Sequence, residues 1–357
     1  MMPNARIGVD MAAAVGQKTG LGFYVDHVVS EMKKQSRDYT FEEINFIKKD
    51  LNTPKRILWD QVGLPLAARM KRVDALFVPA FSAPRFRKPV VMTAHDIFGV
   101  LYADHFSGPA RRYWSNILPN SMKRAARLAC ISEHTRDDIV THLGIDKAKT
   151  EVIYPAASED FHIVRDIQWI EQQLRDAEVE APFVLSVGTL EPRKNFGRLL
   201  EAFVYADRSD AKLVLVGKKG WNYDSVYEKI RKYHLQNTVI CLDYVSSEQL
   251  LALYNACLFF VMPSIYEGFG LPALEAMKCG APVAVSQNSS LPEVVGEAGV
   301  LFDPYEVDSI RERMNLLFNN TEIRSEMQRK SVEQAKKFSW HETARKTLLL
   351  FDSVLGS

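Results

Sequence analysis

The feature that most constrains the fold is an alternation of short apolar runs with helical patterns, which occurs twice along the chain. The runs VMTA (91–94), KLVLV (212–216) and LFFVM (258–262) are almost continuously apolar. Strands of this composition are buried on both faces, as in parallel sheets that are covered by helices. The sequence therefore predicts an α/β protein with two doubly wound, Rossmann-like domains.

Each series contains six predicted strands. The first series lies at 6–10, 41–47, 75–78, 90–94, 127–131 and 151–154, and the second at 183–187, 212–216, 238–242, 258–262, 282–285 and 300–302. Helical patterns separate most of these strands. In an open α/β sheet, ligands bind beyond the carboxyl ends of the strands. A cleft between two such domains is therefore the expected place for a site.

A chain of 357 residues is long enough for two domains of ordinary size. We assign residues 1–165 to an N-terminal domain and residues 182–339 to a C-terminal domain. The polar segment 166–181 between them is interpreted as a linker with a short helix. Residues 340–357 form an amphipathic helix, which is expected to cross back and pack on the first domain.

Charge and cysteine content exclude several classes of protein. A formal net charge of +1 argues against nucleic acid as a partner. The four cysteines form no CxxC pair and no disulfide framework, which indicates a reducing cytoplasm. No run approaches the roughly 18 apolar residues of a membrane span, so any membrane contact is expected to be peripheral.

The first half of the chain carries a local basic excess. Residues 69–127 contain eleven cations and three anions, a net charge of +8. Aromatic residues stand among these cations in RFRK (85–88) and RRYW (111–114). Such segments favour contact with anionic or diphosphate-linked lipids at the inner face of a membrane. A scattered, solvated surface explains the same residues equally well.

The segment VLSVGTLEPRKN (184–195) runs from a strand into a turn and then into a helix that begins near Phe196. Arg193 and Lys194 lie in that turn, just before the helix. Charged side chains at a helix N-terminus are well placed to bind a diphosphate. A solvated turn with an ordinary helix cap at Asn195 remains an alternative.

A second strand-to-helix turn carries Glu267 and Glu275, which are separated by seven residues that include Gly268, Gly270 and Pro272. Glycines let a backbone approach a ligand, and proline suits the first turn of a helix. The two carboxylates suit ribose or sugar hydroxyls, which donate hydrogen bonds to them. The alternatives are solvent exposure for Glu267 and helix-dipole stabilisation for Glu275, worth about 0.3–1 kcal/mol.

These two turns carry a family resemblance. The segments VGTLEPRKNFGRLLEAF (187–203) and YEGFGLPALEAMKCGAPV (266–283) resemble the retaining glycosyltransferases of family 4, which share the GT-B fold. The resemblance implies sugar transfer from a nucleotide diphosphate donor without a metal ion or other cofactor. It favours bacterial mannosyltransferases that use GDP-mannose to build surface polysaccharide on a saccharide or lipid-linked acceptor. UDP-glucose and other hexose donors remain alternatives.

The resemblance also implies roles for the two domains and for individual residues. The N-terminal domain (1–165) would be the acceptor side, and the C-terminal domain (182–339) would bind the nucleotide sugar. Arg193 and Lys194 would bind the donor diphosphate, Glu275 the ribose hydroxyls and Glu267 the donor sugar, and His95 would face the transferred sugar. Gly20 and Gly22, in the turn before the first helix, would approach the diphosphate. The remaining implied donor-binding residues are Gly188, Gly217, Tyr244, Gly268, Phe269, Gly270 and Leu271.

The implied mechanism uses protein cations to stabilise the leaving nucleotide diphosphate, because the sequence has no Asp-x-Asp pair to hold a divalent ion. Retention at the anomeric carbon would follow from attack on the face that the diphosphate leaves. Three rival functions are weaker. A sugar-nucleotide epimerase would bind the same kind of donor but lack an acceptor site, and the spacing of Glu267 and Glu275 argues against it. A nicotinamide dehydrogenase would need a third glycine after TGLG. A non-catalytic nucleotide-sugar-binding protein would not need a full set of polar candidates.

Overall fold

The computed structural model of the protein describes residues 5–15, 20–45 and 52–356, apart from the side chain of His105. The chain forms two compact units. The first unit comprises Met1–Pro155 together with Ser339–Ser357, and the second comprises Ala156–Phe338.

The first unit is built on a parallel sheet of six strands in the order β2-β1-β3-β4-β5-β6. The strands are β1 (Ala5–Asp10), β2 (Tyr39–Ile44), β3 (Ala75–Val78), β4 (Val90–Ala94), β5 (Arg127–Cys130) and β6 (Thr150–Val152). The helices are α1 (Gly20–Gln35), α2 (Thr53–Leu58), α3 (Leu64–Met70), α4 (Phe98–Leu101), α5 (Gly108–Arg112), α6 (Leu118–Arg124), α7 (Glu133–Leu143) and, at the end of the chain, α16 (Trp340–Leu355).

Two π-helical turns interrupt the helical segments of this unit, at Trp59–Gly63 between α2 and α3 and at Tyr113–Ile117 between α5 and α6. In the first turn, the Trp59 ring lies so close to Gly63 that a Cβ atom there would be 2.6 Å from it. Turns of this kind are often found at functional sites.

The last helix contributes to the core of the first unit. Phe351 of α16 is fully buried and contacts Phe77 of β3 edge to face, with ring centroids 5.8 Å apart. Near the start of the helix, the Thr343 hydroxyl donates to the carbonyl of Tyr154 at 2.6 Å. The first unit is therefore assembled from both ends of the chain.

The second unit repeats the design, with a parallel sheet in the order β12-β11-β10-β7-β8-β9. The strands are β7 (Phe183–Val187), β8 (Lys212–Val216), β9 (Val239–Leu242), β10 (Phe259–Met262), β11 (Val283–Ser286) and β12 (Gly299–Phe302). The helices are α8 (Ile167–Asp176), α9 (Phe196–Val204), α10 (Asp224–Lys232), α11 (Ser247–Ala256), α12 (Leu271–Lys278), α13 (Leu291–Val295), α14 (Val307–Asn319) and α15 (Thr321–Ala335).

Both sheets are doubly wound, and each has a point at which the strand order reverses. In the first sheet the chain moves from β1 to β2 on one side and then to β3 on the other. In the second sheet it moves from β7 to β8 and β9, and then returns to β10 on the far side of β7. Crevices at the carboxyl ends of strands open at such points, which makes β1–β3 and β7–β10 the places to look for ligand sites.

The predicted fold class is confirmed, and all twelve predicted strands are present to within two residues at most ends. The second strand is the main exception, since it runs from Tyr39 to Ile44 and the end predicted at residues 46–47 falls outside the described residues. Its charged residues in YTFEEI, exposed at an edge of the sheet, weaken the apolar signal.

The domain boundary differs from the one expected. The segment 166–181, interpreted as a linker, contains α8 and belongs to the second unit, which begins at Ala156. Leu174 of this amphipathic helix is buried, while much of its outer face is polar. The polar face explains the linker interpretation, because polar composition alone does not distinguish a linker from a surface helix.

Candidate active site

At the carboxyl edge of the second sheet, two cations meet one carboxylate. Arg193 and Lys194 lie in a short 3₁₀ turn after β7, and Glu267 lies in the loop after β10. Lys194 Nζ is 2.6 Å from Glu267 Oε1, and Arg193 Nη1 is 2.8 Å from Glu267 Oε2. The strand order places these residues at the β7–β10 reversal, so the topology brings together side chains that are 73 positions apart.

The electrostatics of this cluster keep Glu267 ionised. Burial alone raises the pKa of Glu267, but the charges of Lys194 and Arg193 outweigh it and lower the pKa to about 2. A carboxyl group with this pKa accepts hydrogen bonds and does not donate a proton near neutral pH. Glu267 can therefore hold cations or accept from hydroxyl groups, but it cannot act as a general acid.

Residues that the sequence did not single out complete the cluster. Glu191 binds the Arg193 guanidinium through Nε at 3.0 Å and Nη2 at 2.9 Å. The Ser289 hydroxyl accepts from the Glu267 backbone N–H at 2.9 Å, and the Ser290 hydroxyl donates to the Glu267 carbonyl at 3.0 Å. Isolated serine and glutamate residues carry no motif, so these contacts could be found only from the structure.

The position of Asn195 differs from the helix-cap alternative given for this turn. The sequence offered it as an ordinary helix cap, but among the described residues its side chain accepts from no backbone N–H of α9; it accepts instead from the Arg198 side chain at 3.1 Å. Its backbone is left-handed, with φ 58°, and its amide donates to the carbonyls of Pro263 at 3.0 Å and Pro304 at 2.7 Å. Asn195 therefore joins the turn that carries Arg193 and Lys194 to the loop that leads to Glu267.

Two of the predicted donor-binding glycines allow a close approach of backbones beside the cluster. Gly217 follows β8 with φ +154°, and a Cβ atom there would lie 2.0 Å from the carbonyl oxygen of Gly188. A Cβ atom on Gly188 would in turn lie 3.2 Å from Lys194 Cε. The close approach of the two backbones therefore requires glycine at position 217, and a side chain at position 188 would have to displace Lys194 slightly.

The predicted anion-binding helix is α12. Gly270 precedes it with φ +110°, and in the part of the chain that is described no side chain caps this helix. Its amino end, including Leu271, therefore presents backbone amides and the positive end of the helix dipole. Gly268 and the buried Phe269 lie in the loop just before it, and Tyr244, after β9, is 76% exposed.

Glu275 lies in the second turn of α12 and is partly buried. Its Oε2 accepts a hydrogen bond from the hydroxyl of Tyr254 at 2.9 Å. Burial raises the pKa of Glu275 to about 7, although the Tyr254 hydroxyl opposes this rise. The carboxylate would therefore be stabilised by further hydroxyl donors.

His95 follows β4 in the first unit. Its Nε2 lies 2.7 Å from the carbonyl oxygen of Pro79, which can only accept, so Nε2 carries the proton. The ring packs edge to face against Tyr24, with centroids 4.8 Å apart. Burial lowers the pKa of His95 to about 4, although the bond to Pro79 opposes this change. At neutral pH the imidazole is uncharged, and Nδ1 is an acceptor.

Gly20 and Gly22 lie differently from the prediction. The sequence placed both in a turn before the first helix, but both belong to the first turn of α1. Gly22 is buried, whereas a Cβ atom on the exposed Gly20 would have no neighbour within 4 Å. Sterics therefore do not require glycine at position 20. Residues 16–19, which precede it, lie outside the described residues.

A buried ionic cluster at the β1–β3 reversal was not predicted. Arg56 of α2 binds Asp10 at the end of β1 through Nη2 at 2.8 Å, and it binds Asp60 through Nε at 2.8 Å. All three side chains are at most 7% exposed. Trp59 Nε1 also donates to Asp10, at 3.1 Å. Burial raises the pKa of Asp60 to about 7; Arg56 opposes this rise, and Asp10 adds to it.

Four of the eleven cations of the basic region line one groove of about 600 Å³. Its cations are Arg85, Arg87, Lys88 and Arg124, and it also contacts Ser353 of α16. Arg111, from the RRYW segment, binds Asp104 at 2.7 Å. Within the described ranges, no helix has the length and apolarity that crossing a membrane requires.

Comparisons with known proteins agree with this geometry. The family model for glycosyl transferases group 1 matches residues 168–338, and the model for glycosyltransferase family 4 matches residues 22–161. The chain is 32% identical over 273 residues to the O-antigen chain mannosyltransferase B of Escherichia coli, covering 76% of this chain and 72% of that protein. The chain belongs to the family 4 glycosyltransferases.

A second relative is larger. The serotype-specific mannosyltransferase WbdA of Escherichia coli is 30% identical over 288 residues, which is 78% of this chain but 35% of WbdA. The glycosyltransferase chain thus spans about a third of that relative.

Solved structures with the same fold cover almost the whole glycosyltransferase chain. A sucrose-phosphate synthase from Thermosynechococcus elongatus superposes with a TM-score of 0.77 at 17% identity, over 99% of this chain and all of that one. HepE from Anabaena, solved with UDP and glucose, superposes with a TM-score of 0.74 at 19% identity, over 98% and 100%. The fold is therefore GT-B.

Proposed function

We propose that this glycosyltransferase moves mannose from GDP-mannose to a saccharide or lipid-linked saccharide, with retention at the anomeric carbon, in the synthesis of a surface polysaccharide. The observation that carries the proposal is the cluster of Arg193 and Lys194 on Glu267 at the β7–β10 reversal. The choice of mannose rests on the two Escherichia coli relatives, both of which are named as mannosyltransferases.

In this proposal the diphosphate of the donor binds Arg193 and Lys194 and the amino end of α12. The two cations already share one carboxylate, which fixes their positions before the ligand arrives. Fixed cations stabilise the charge that develops on a leaving diphosphate without reorganisation, and the loss of one such group typically costs about 10²–10³ in rate. No metal ion is needed for this role.

The nucleoside would be held through its ribose. Glu275 has a carboxylate that burial destabilises and that, among the described residues, is supported by the Tyr254 hydroxyl. Ribose hydroxyls would add donors to that carboxylate. The exposed Tyr244, at the carboxyl edge two strands from β7, is proposed to contact the base.

The transferred sugar would contact Glu267 and His95. Glu267 is ionised at all physiological pH values and accepts from sugar hydroxyls, while Nδ1 of the neutral His95 accepts from one more. In the chemical step, the acceptor oxygen bonds to the anomeric carbon as the bond to the phosphate oxygen breaks. The acceptor proton passes to the leaving phosphate, so no protein carboxylate acts as a nucleophile.

The basic groove of Arg85, Arg87, Lys88 and Arg124 is proposed to contact anionic membrane lipid, because it gathers four cations at one concave surface. Such a contact would place the enzyme at the inner face of a membrane, where lipid-linked acceptors lie. Each cation near an anionic surface contributes about 1 kcal/mol.

A donor screen tests the proposed function. Purified protein is incubated with GDP-mannose, UDP-glucose or GDP-fucose and a mannose-terminated oligosaccharide, with EDTA present throughout. We expect GDP release that depends on the acceptor, and a new α-mannosyl linkage by NMR. Transfer from UDP-glucose but not from GDP-mannose would show that the proposed donor is wrong. A β-mannosyl product would exclude retention. Activity that is lost in EDTA and restored by Mg²⁺ would exclude metal independence.

A further inference from the structure

Phe81 is an aromatic residue in a strained backbone. It follows β3 at the carboxyl edge of the first sheet, and its φ is +61°. Side chains other than those of Gly, Asn and Asp rarely adopt this left-handed conformation, and for a bulky residue it is an outlier. Such strain persists only where the surrounding structure enforces it, and it is concentrated at functional sites.

The surrounding structure holds Phe81 from two directions. The Arg56 guanidinium lies over one face of the Phe81 ring, 3.8 Å from its centroid. The next residue, Ser82, donates to Asp60 through its backbone N–H at 3.2 Å and its hydroxyl at 2.7 Å. Because Arg56 and Asp60 are themselves ion-paired, one buried cluster fixes both the ring and the backbone beside it.

Phe81 nevertheless remains partly exposed. A residue whose only role was to cover Arg56 could do so without backbone strain. Phe81 thus combines a strained backbone, a cation on one face of its ring and partial exposure. These are the properties of a flat apolar surface that is held in place before any ligand arrives.

Phe81 also lies two residues after the hydrogen-bond partner of His95, the residue that is expected to face the transferred sugar. Pro79, two residues earlier, accepts the hydrogen bond from His95 Nε2. Strands β3 and β4, which lead to Pro79 and His95, are paired neighbours. The loop that carries Phe81 therefore also positions the His95 ring.

We propose that Phe81 is a stacking platform for the acceptor saccharide. The C–H face of a pyranose is apolar and flat, and it matches an aromatic ring, while the hydroxyl groups point away from the contact. A ring that is already immobilised loses little conformational entropy on binding. The inference rests on the proposed sugar transfer, since it names the acceptor contact for that reaction.

The test compares Phe81→Gly with Phe81→Tyr. Glycine accepts the left-handed backbone but removes the ring, whereas tyrosine keeps the ring. We expect Phe81→Gly to raise the KM for a mannotriose acceptor roughly tenfold. The affinity for GDP should not change, and Phe81→Tyr should stay within about twofold of the wild type. The matched control is Tyr205→Ala, which removes an exposed aromatic residue of the second unit.

A direct binding measurement separates this inference from the proposed function. Saturation-transfer NMR on mannotriose, without donor, should show transfer to the sugar C–H protons in the wild type and its loss in Phe81→Gly. Binding that depends on Phe81, in a protein that transfers no mannose, would reject the proposed function and leave the platform in place. Unchanged binding or an unchanged acceptor KM in Phe81→Gly would overturn the platform.

Discussion

The two units carry opposite ionic clusters at equivalent places in their sheets. At the β7–β10 reversal, two cations share the carboxylate of Glu267, and their side chains are 17% and 11% exposed. At the β1–β3 reversal, two carboxylates share the guanidinium of Arg56, and Asp10 and Asp60 are 2% and 0% exposed.

The difference shows how one architecture supports two tasks. An anion that reaches the second-unit cluster meets two cations whose positions are already fixed. An anion near the first-unit cluster would meet two carboxylates and no accessible charge of opposite sign. The first cluster therefore stabilises structure around Phe81 and His95, whereas the second is suited to bind a ligand. Buried ion pairs contribute little net stability, which agrees with a positioning role.

The largest expected effect tests the ligand role of the second cluster. Lys194→Ala should lower the rate of sugar transfer by about 10²–10³, because it removes a fixed cation from the leaving group. The measurement is GDP release with donor and acceptor saturating. Lys212→Ala is the matched control, since Lys212 pairs with Glu180 at the amino ends of the strands of the same sheet, away from the proposed site. Equal rates for the two variants would remove Lys194 from the site.

The structural role of the first cluster is tested by Arg56→Ala. This change leaves two buried carboxylates without their cation, and it should lower the free energy of unfolding by about 3 kcal/mol. Urea unfolding followed by tryptophan fluorescence measures it, because Trp59 donates to Asp10. Arg345→Ala, which breaks an exposed pair with Glu342, should change stability by less than about 1 kcal/mol. Similar losses in both variants would contradict the comparison.

A smaller effect is expected for the ribose contact. Glu275→Gln should weaken GDP binding about tenfold at pH 8, where the carboxyl group is ionised, because hydrogen bonds to a charged acceptor are lost. With a pKa near 7, Glu275 is mostly protonated at pH 6, so the wild type should bind GDP more tightly as the pH rises through 7. Calorimetric titrations at both pH values measure this. A loss of the same size at pH 6 would argue against the carboxylate contact.

A last prediction concerns the pH dependence of stability. The pKa of Asp60 is raised to about 7, so the folded protein holds this proton more tightly than the unfolded chain does. The stability that protonated Asp60 contributes is therefore fully present below about pH 4. It is lost as the pH rises to 7, so the free energy of unfolding falls by at most about 1.4 kcal/mol per pH unit in this range. Asp60→Asn should remove that slope between pH 5 and 7. An identical slope in the variant would show that Asp60 is already ionised.

Much of the fold was predictable because parallel strands buried on both faces leave a continuous apolar signal. β3, β4, β7 and β8 were predicted with the bounds that the structure has. The turn that carries Arg193 and Lys194 and the loop that carries Glu267 could also be identified from the sequence, because each lies directly after such a strand. Their meeting at one edge follows from the strand order, which the repeated strand–helix pattern constrains.

The rest could not be read from the sequence, since it depends on contacts between distant residues that follow no pattern. Asp10 and Arg56 are 46 positions apart, and a charged residue within a helix normally indicates a solvated face. Phe81 has an ordinary sequence context, and only its backbone angle distinguishes it. Asn195 was taken for a cap because its side chain can serve either purpose.

The route of the chain also has a consequence for synthesis on the ribosome. The first unit lacks α16 until residues 339–357 have emerged, because they belong to it. The second unit, encoded by one uninterrupted segment, is complete before that point. Nascent chains therefore carry a finished second unit and an unfinished first unit, with the cavity normally filled by Phe351 still open. Translation that stops at residue 338 would leave the chain in that state.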